Sequence, residues 1–157
     1  MQSTFDKIIQ HLKLCSTPYE QLEHSAATTC EQSASARGED IAIGGKTLLF
    51  KSKRNFHLFV TSAATEVDST RVRKILRSQK LRFASPQELE ELAGVVKGAL
   101  PPYGDPILPY DLYIDISILK NEKIAYNAGK LTTSHILDLN DYLEIIKDYA
   151  FFARFSK

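Results

Sequence analysis

The sequence predicts a single domain of the α+β class, in which one mixed β-sheet has helices packed against it. Its 157 residues are a single-domain length, and 43% hydrophobic with 25% charged residues is typical of a globular chain. Predicted strands and helices follow one another irregularly, whereas a doubly wound parallel sheet requires regular alternation. Seven Tyr and eight Phe residues supply large side chains for the core.

The first elements are an amphipathic helix over residues 4–14 and a strand over residues 19–24. Apolar residues in the helix recur with i, i+3, i+4 and i+7 spacing, and Ser3 or Thr4 can cap its first turn. Pro18 ends the helical register before the strand begins. We therefore expect an extra amino-terminal helix ahead of the sheet.

A short second helix precedes a β-hairpin. Either Thr28 with Glu31 or Thr29 with Gln32 forms its capping box, and Gly38 ends it. Three β-rich runs follow, at residues 41–43, 46–51 and 56–61. The polar turn between the last two indicates a hairpin.

The second half begins with two more helices and a long loop. Asp68 or Ser69 caps the first of these helices, which turns Val72, Ile75 and Leu76 inward. After a strand over residues 81–83, the run Ser85-Pro86-Gln87-Glu88 starts the next helix, which Gly94 ends. Residues 94–106 are rich in Gly and Pro. They form either a site wall or a plain crossover.

The last predicted elements are three strands and a helix. The strands cover residues 112–116, 123–127 and 134–137. Asn140 is the predicted cap of the final helix. That helix is expected to contain Leu143, Ile145, Ile146 and Tyr149.

Several classes of protein are excluded by composition and motifs. No segment reaches the roughly 20 apolar residues of a membrane span, and residues 1–14 lack a signal-peptide block, so we expect a soluble cytoplasmic protein. Nucleophile-elbow, phosphate-loop, zinc-protease and dinucleotide-binding motifs are absent. The cysteines and histidines are scattered, without metal-ligand or triad spacing: Cys15, Cys30, His11, His24, His57 and His135. We expect reduced, unreactive thiols and no structural metal.

Charge is distributed unevenly along the chain. The net charge is +1, but residues 46–82 contain ten basic and two acidic residues, so this segment carries +8 and the remainder −7. Such a segment either attracts a polyanion or is an ordinary solvated surface. If it binds a nucleic-acid backbone, the predicted contacts lie on the third helix, at Arg71, Arg73, Lys74 and Arg77.

One lysine has an unusual setting. Lys46 lies directly after Gly44-Gly45 and ahead of the apolar run at residues 47–50. Two glycines let another molecule approach the backbone closely, and a lysine there can bind a phosphate. The alternative is a lysine whose ammonium group is simply solvated at a strand end.

Four segments, in order, resemble the YbaK/prolyl-tRNA synthetase-associated editing domain family over about residues 19–143. They are Glu23-His24 with Thr29 and Glu31, then Gly45-Lys46-Thr47-Leu48, then residues 85–89 leading into 94–104, and finally Asn127-Ala128-Gly129. The resemblance implies a partly curled mixed sheet. It also implies an aminoacyl-tRNA deacylase that hydrolyses mischarged tRNA without a metal or organic cofactor.

The resemblance also implies roles for individual residues. Lys46 would hold the terminal phosphate or ribose, and backbone amides near Gly98 would bind the ester carbonyl oxygen while water attacks. The implied substrate-binding residues are His24, Thr28, Thr47, Pro102, Asn127 and Gly129. This chain has Ser25-Ala26 where relatives mostly have two prolines, and Thr28 where an aromatic residue is frequent.

The sequence thus leads to a hypothesis and to alternatives. The hypothesis is a free-standing trans-editing deacylase acting on a tRNA for proline, with prolyl-tRNA synthetase as a possible partner. The alternatives are a non-catalytic tRNA- or synthetase-binding module and an enzyme acting on a small nucleotide. Thr28 either favours a small or polar aminoacyl group, such as alanine, serine or threonine, or is merely the cap of the second helix.

Overall fold

Five α-helices and eight strands make up most of residues 2–157, which the computed structural model describes. The helices are α1 (Thr4–Leu14), α2 (Cys30–Arg37), α3 (Ser69–Leu76), α4 (Pro86–Ala93) and α5 (Leu139–Ile146). The strands are β1 (Glu20–Glu23), β2 (Gly45–Lys51), β3 (Phe56–Ser62), β4 (Arg82–Phe83), β5 (Asp111–Asp115), β6 (Lys123–Asn127), β7 (Thr133–Asp138) and β8 (Ala150–Ala153). No helix among these residues is long and apolar enough to cross a bilayer.

The strands divide between two sheets, which confirms the mixed α+β class but corrects the prediction of one sheet. The larger sheet has the order β4-β2-β3-β5-β8, antiparallel through β4, β2 and β3 and parallel through β3, β5 and β8. The smaller is the antiparallel sheet β1-β7-β6. A single parallel bridge between Gly44 and Ala125 joins them. Strand patterns identify strands but not their partners, so the sequence did not separate the sheets.

The two sheets meet where glycines let them approach. A Cβ atom on Gly45 would lie 2.9 Å from Cδ1 of Ile124, and one on Gly44 would lie 3.0 Å from Cβ of Ala63. These distances are shorter than ordinary carbon–carbon contacts, so a side chain at Gly45 would press on Ile124 of β6 and one at Gly44 on Ala63, directly after β3. Gly45 thus lets the start of β2 lie close to the smaller sheet, and Gly44 lets it lie close to the end of β3.

Alternation along β3 creates an apolar layer on each face of the larger sheet. Leu58 and Val60 are completely buried in the main core, which also contains Ile8 and Leu12 of α1. Phe59 points to the opposite face, where α3 covers a second cluster consisting of Phe50, Phe59, Val72 and Phe155. The burial of α3 through Val72, Ile75 and Leu76 is as the sequence predicted.

Most helices start at residues that the sequence predicted as caps. For α1, α2 and α3 the structure shows which of the two candidate residues is the cap. Ser3 caps α1, Thr29 with Gln32 forms the capping box of α2, and Asp68 caps α3. The capping box of α4 pairs Ser85 with Glu88, and Gly94 ends the helix in the left-handed conformation. Helix α5 differs from prediction, because the Asp138 carboxylate accepts from the Asn140 amide at 2.9 Å and so caps the helix in place of Asn140.

Two further segments differ from prediction. Residues Ile41–Ile43 form a 3₁₀ turn instead of a strand, because the Asp40 carboxylate caps it by accepting from the Ala42 amide at 2.8 Å. At the other end of the chain, α5 stops before Tyr149 and the chain continues into β8, which pairs with β5. The short apolar sequence of β8 is typical of a continuing helix. It forms a strand because β5 offers a free edge with which it can pair.

Candidate active site

A cleft runs along an unpaired edge of β2. Strand β4 pairs with β2 only at Phe50 and Lys51, so within residues 2–157 no strand occupies that side of β2 from Gly45 to Leu48. Helix α2 and the turn at residues 96–99 face this edge instead, and the cleft between them contains two adjoining cavities.

The two cavities differ in size and polarity. The inner cavity has a volume of about 90 Å³, and its polar lining comes from Ser33, Arg37, Lys46, Thr47, Gly98 and Asn127. The outer cavity has a volume of about 390 Å³, and its apolar wall includes Leu48, Leu49, Phe83, Ala84, Pro86 and Leu89. Both are lined by Thr28, Cys30, Lys46, Thr47, Gly98 and Leu100. The structure therefore places Thr28, Lys46, Thr47, Gly98 and Asn127, all predicted site residues, around one small polar space.

Lys46 lines the boundary between the two cavities. Its ammonium group donates to the carbonyl oxygen of Thr65, 3.0 Å away. An ammonium group has three N–H donors, so the other two can serve a ligand. The Thr65 contact fixes the side chain, and this is the ordering that a binding lysine needs before substrate arrives.

The turn at Gly98 lines the cleft and contains a backbone amide without an acceptor. The Ala99 amide donates to the Val96 carbonyl oxygen at 3.1 Å, while the Gly98 amide donates to no acceptor among the described residues. Gly98 has a φ angle of 92°, and a Cβ there would lie 3.4 Å from the Thr28 carbonyl oxygen. Glycine is therefore needed at this position, and its amide is free to bind an oxygen atom.

Asn127 connects this turn to the smaller sheet. Its Nδ2 donates to the Gly98 carbonyl oxygen at 3.0 Å, and its Oδ1 accepts from Arg37 Nη2 at 3.1 Å and from Ser134 Oγ at 3.2 Å. Nε of Arg37 donates to Ser134 Oγ at 2.9 Å, and Nε2 of His24 lies 2.8 Å from the same oxygen. His24 thus acts on the cleft through Ser134 and lines neither cavity.

Arg37 is the site residue that the sequence did not reveal. It is the last residue of α2, directly before the capping Gly38, where a basic residue is ordinary because it stabilises the helix dipole. Burial lowers the pKa of its guanidinium to about 10. Among the described residues no carboxylate pairs with it. No pattern in one sequence distinguishes such a half-buried cation from a fully exposed one.

Cys30 shares the cleft but is not activated. Burial raises the pKa of its thiol, and the nearby Lys46 charge only partly opposes this. A thiol held in its neutral form is a weak nucleophile. Within the part of the chain that the structure describes, no three His, Cys, Asp or Glu side chains are grouped as a metal site.

Thr28 is not the helix cap that the sequence offered as an alternative. Thr29 occupies that position, and its Oγ1 accepts from the Gln32 amide at 3.1 Å. The Thr28 hydroxyl instead donates to Gln32 Oε1 at 3.0 Å while lining both cavities. Thr28 is therefore a wall residue with a hydroxyl fixed by α2.

Two predicted binding residues support the cleft from outside it. The Pro102 carbonyl accepts from the Tyr142 hydroxyl at 2.7 Å, and the Gly129 amide donates to the Ala99 carbonyl at 3.1 Å. Gly129 has a φ angle of 77°, and a Cβ there would meet the Phe5 amide nitrogen at 3.0 Å. Both residues anchor the loop that carries Gly98. The loop of residues 94–106 thus forms a wall of the cleft.

Basic residues form a separate surface at the far end of β2. A groove of about 490 Å³ is lined by Lys53, Arg54, Arg77 and Lys80, and an adjacent one by Lys51 and Arg82. Of the four predicted backbone contacts on α3 and its end, only Arg77 lines this groove. Arg71 pairs with Asp68 at 3.5 Å, and Arg73 donates to the Gln79 carbonyl and to Ser69.

Comparison with known proteins gives the family. A family model described as the aminoacyl-tRNA editing domain matches residues 24–145. The Multifunctional Ser/Thr-tRNA deacylase ProXp-y of Escherichia coli K12 is 32% identical over 148 residues, which are 90% of this chain and 87% of the relative. The Prolyl-tRNA editing protein ProX of Acetoanaerobium sticklandii is 23% identical over 82% of each chain. A solved structure described as a candidate trans-editing enzyme for prolyl tRNA synthetase superposes with a TM-score of 0.83 at 21% identity, covering 100% of this chain and 99% of the other.

The chain belongs to the aminoacyl-tRNA editing domain family, as the sequence motifs indicated. It is an enzyme, a hydrolase of the ester bond in aminoacyl-tRNA. The cleft agrees with that class, because it combines a fixed cation and a free backbone amide with no activated nucleophile.

Proposed function

We propose that the protein is a trans-acting deacylase that removes a small aminoacyl group, alanine, serine or threonine, from mischarged tRNA for proline. The observation that carries this proposal is the inner cavity of about 90 Å³ beside Lys46 and the free Gly98 amide. A space of this size excludes large side chains. The names of the E. coli and A. sticklandii relatives, a Ser/Thr-tRNA deacylase and a prolyl-tRNA editing protein, support the two parts of the proposal.

The two cavities suggest how the substrate is arranged. The aminoacyl side chain enters the inner cavity, and the terminal adenosine lies in the outer one. There the Phe83 ring, 61% exposed and stacked on Phe50, offers a face for the base. Lys46, at the boundary, holds the terminal phosphate or ribose. This arrangement places the ester near Gly98.

Hydrolysis then needs positioning and charge stabilisation only. Water attacks the ester carbonyl carbon, and the Gly98 amide donates to the carbonyl oxygen as it gains negative charge. The bond from carbonyl carbon to ribose oxygen breaks, and the released ribose oxygen takes up a proton that the water gives up. An ester between an amino acid and a ribose is already electrophilic, so the neutral Cys30 thiol has no required part.

The basic groove provides a path for the tRNA body. Strand β2 runs from Lys46 in the cleft to Lys51 at the groove, a distance of roughly 17 Å at about 3.4 Å per residue. This is the length of about five stacked nucleotides. A substrate whose adenosine lies in the outer cavity can thus place backbone phosphates against Lys53, Arg54, Arg77 and Lys80. An enzyme for small nucleotides would not use this groove.

A panel of charged tRNAs tests the proposal. Alanyl-, seryl-, threonyl- and correctly charged prolyl-tRNA for proline are each incubated with the full chain, and release of the amino acid is followed. We expect rapid release from at least one of the first three and none from prolyl-tRNA. Equal hydrolysis of aminoacyl-adenosine without the tRNA body would favour the small-nucleotide alternative.

A further inference from the structure

Arg37 in the inner cavity has more hydrogen-bond donors than partners. A guanidinium group carries five N–H donors. Nε is bonded to Ser134 Oγ and Nη2 to Asn127 Oδ1, while Nη1 reaches no acceptor among residues 2–157. Nη1 lies beside the backbone at Gly44, where a Cβ would be 3.6 Å away, and the guanidinium lines the inner cavity. A cation without a counter-ion or a full set of acceptors, partly removed from water, is costly unless a ligand completes its shell.

A second polar group in the same cavity lacks a partner. Thr47 Oγ1 is buried and forms no hydrogen bond with any described residue, although Thr47 lines the inner cavity. Buried hydroxyl groups are nearly always satisfied, so an unpaired one at a cavity wall indicates a ligand group that bonds to it. Two residues that line the same small space thus each carry an unsatisfied group, a donor on Arg37 and a hydroxyl on Thr47 that can donate or accept.

We infer that Arg37 is a specificity-determining residue, which donates from Nη1 to the side-chain hydroxyl oxygen of a seryl or threonyl group in the inner cavity. This inference rests on the proposed function. A seryl or threonyl hydroxyl supplies one acceptor oxygen for Arg37 and one O–H that Thr47 Oγ1 can accept. An alanyl group fills the same space and satisfies neither. A site that hydrogen-bonds a substrate hydroxyl rejects the analogue lacking it, because its own polar groups are then left unpaired.

Arg37 also has a structural role, which the experiment must separate. Through Asn127 it helps to hold the Gly98 carbonyl, so its loss would disturb the turn whatever amino acid is bound. That effect lowers hydrolysis of every aminoacyl group alike, whereas lost recognition lowers it only for hydroxyl-bearing ones. The ratio between substrates thus isolates recognition.

The test compares kcat/KM for seryl-, threonyl- and alanyl-tRNA on one tRNA. Arg37→Met removes all donors while keeping an unbranched chain. We expect it to reduce the preference for seryl and threonyl over alanyl groups roughly 10- to 100-fold, the loss of one hydrogen bond to a charged group. Arg37→Lys keeps a cationic donor and should recover part of the preference. The control Ser134→Ala removes the acceptor of Arg37 Nε, together with the Ser134 contacts to Asn127 and His24, but keeps Nη1. It should therefore leave the ratio unchanged, whatever its effect on the overall rate. A uniform loss, or none, in Arg37→Met overturns the inference.

Binding to the unmodified protein gives an answer even if Arg37→Met does not fold. Adenosine carrying seryl or alanyl through a non-hydrolysable 3′-amide is titrated against the wild-type chain by calorimetry. We expect the seryl amide to bind at least about tenfold more tightly than the alanyl amide. Equal affinities for the two amides would refute the role of Arg37. Tighter binding of the seryl amide by a chain that hydrolyses no charged tRNA would instead refute the proposed function.

Discussion

At the scale of single residues, the cleft gives Lys46 and Thr47 separate roles although they are neighbours on β2. Lys46 has a fixed ammonium group with free donors, and Thr47 has a buried hydroxyl without a partner. The unpaired Thr47 hydroxyl does not stabilise the free protein, and the Lys46 contact to Thr65 uses only one of three donors. The proposed function gives both groups a ligand, and each can be tested by removing one functional group.

Replacing Lys46 by alanine should reduce deacylation by at least about 100-fold, the typical effect of deleting one stabilising donor at a reacting centre. The fold should remain, because the lysine loses a single hydrogen bond to Thr65. Steady-state hydrolysis and thermal unfolding measure the two effects. Lys123→Ala is a matched control, since Lys123 forms an exposed ion pair with Glu39 away from the cleft. Hydrolysis at the wild-type rate by Lys46→Ala would remove Lys46 from the mechanism.

Replacing Thr47 by valine should separate stability from activity. Valine has nearly the same shape and no hydroxyl, so it removes a buried oxygen that has no partner, and we expect stability to rise by about 1 kcal/mol. Hydrolysis of seryl-tRNA should fall at the same time. Urea unfolding and a deacylation assay on the same preparation measure both. A loss of stability would show that the hydroxyl has a structural partner.

At the scale of elements, helix α2 brings Cys30, Ser33 and Arg37 to the inner cavity. Its first turn depends on the box in which Thr29 Oγ1 accepts from the Gln32 amide, while Gln32 Oε1 accepts from the amides of Thr28 and Thr29. The cap thus fixes both the helix and a cleft wall.

Removing this cap with Thr29→Ala should cost about 1 kcal/mol of stability, or roughly 2–4 °C in Tm, and should also lower kcat/KM because the first turn of α2 frays. Ser3→Ala is the matched control. It removes the equivalent cap from α1, which lines neither cleft cavity. We expect a similar shift in Tm with unchanged hydrolysis. Equal loss of activity in both variants would mean that only global stability was being measured.

At the scale of the whole molecule, positive charge is concentrated at the end of β2 that lies away from the candidate cleft. Lys53 and Lys80 line the groove there, whereas Arg71 and Lys74 lie on α3 and line none of the grooves described above. The two pairs carry the same charge, but one pair lies in the groove and the other on α3. Charge reversals in each pair can therefore show which of these surfaces contacts the tRNA.

Reversing Lys53 and Lys80 to glutamate should weaken tRNA binding and make the dependence of log K on log salt less steep by roughly two units, about 0.9 per lost phosphate contact. Reversing Arg71 and Lys74 should leave the slope nearly unchanged. Fluorescence anisotropy at several salt concentrations measures both. The opposite result would assign tRNA binding to α3, as the sequence suggested.

The stability of the molecule should also depend on pH through His135. Burial lowers the pKa of this imidazole to about 4, while Tyr126 and Gln21 hydrogen-bond to its two nitrogens. The unfolded chain takes up a proton near pH 6.5 but the folded chain does so only near pH 4, so acidification favours unfolding within that window. Burial lowers the pKa of His11 and His57 as well, which adds to the effect.

The free energy of unfolding should therefore fall between pH 7 and pH 5, with His135 contributing about 2 kcal/mol. Urea titrations at the two pH values measure the change. His135→Gln is less stable at both pH values but should show a smaller difference between them. An identical difference in the variant would assign the pH dependence to other groups.

The sequence by itself determined the class of fold, the approximate positions of the helices and the family. Capping boxes and apolar periodicity are local signals, so Ser85 and Gly94 could be interpreted without knowing any neighbour, whereas the choice between Thr28 and Thr29 needed the structure. The motifs around Lys46 and Gly98 likewise identified the cleft, because they are contiguous in the chain.

Tertiary structure alone decided how distant residues combine. The contacts from Arg37 to Asn127 and Ser134 join residues about 90 or more positions apart. Strand β8 depends on the free edge of β5, and the separation into two sheets depends on which strands pair. A basic residue before a capping glycine has the same sequence signal whether it is solvated or buried. Its role is set by what packs around it, which is why the cation of the inner cavity emerged only from the folded chain.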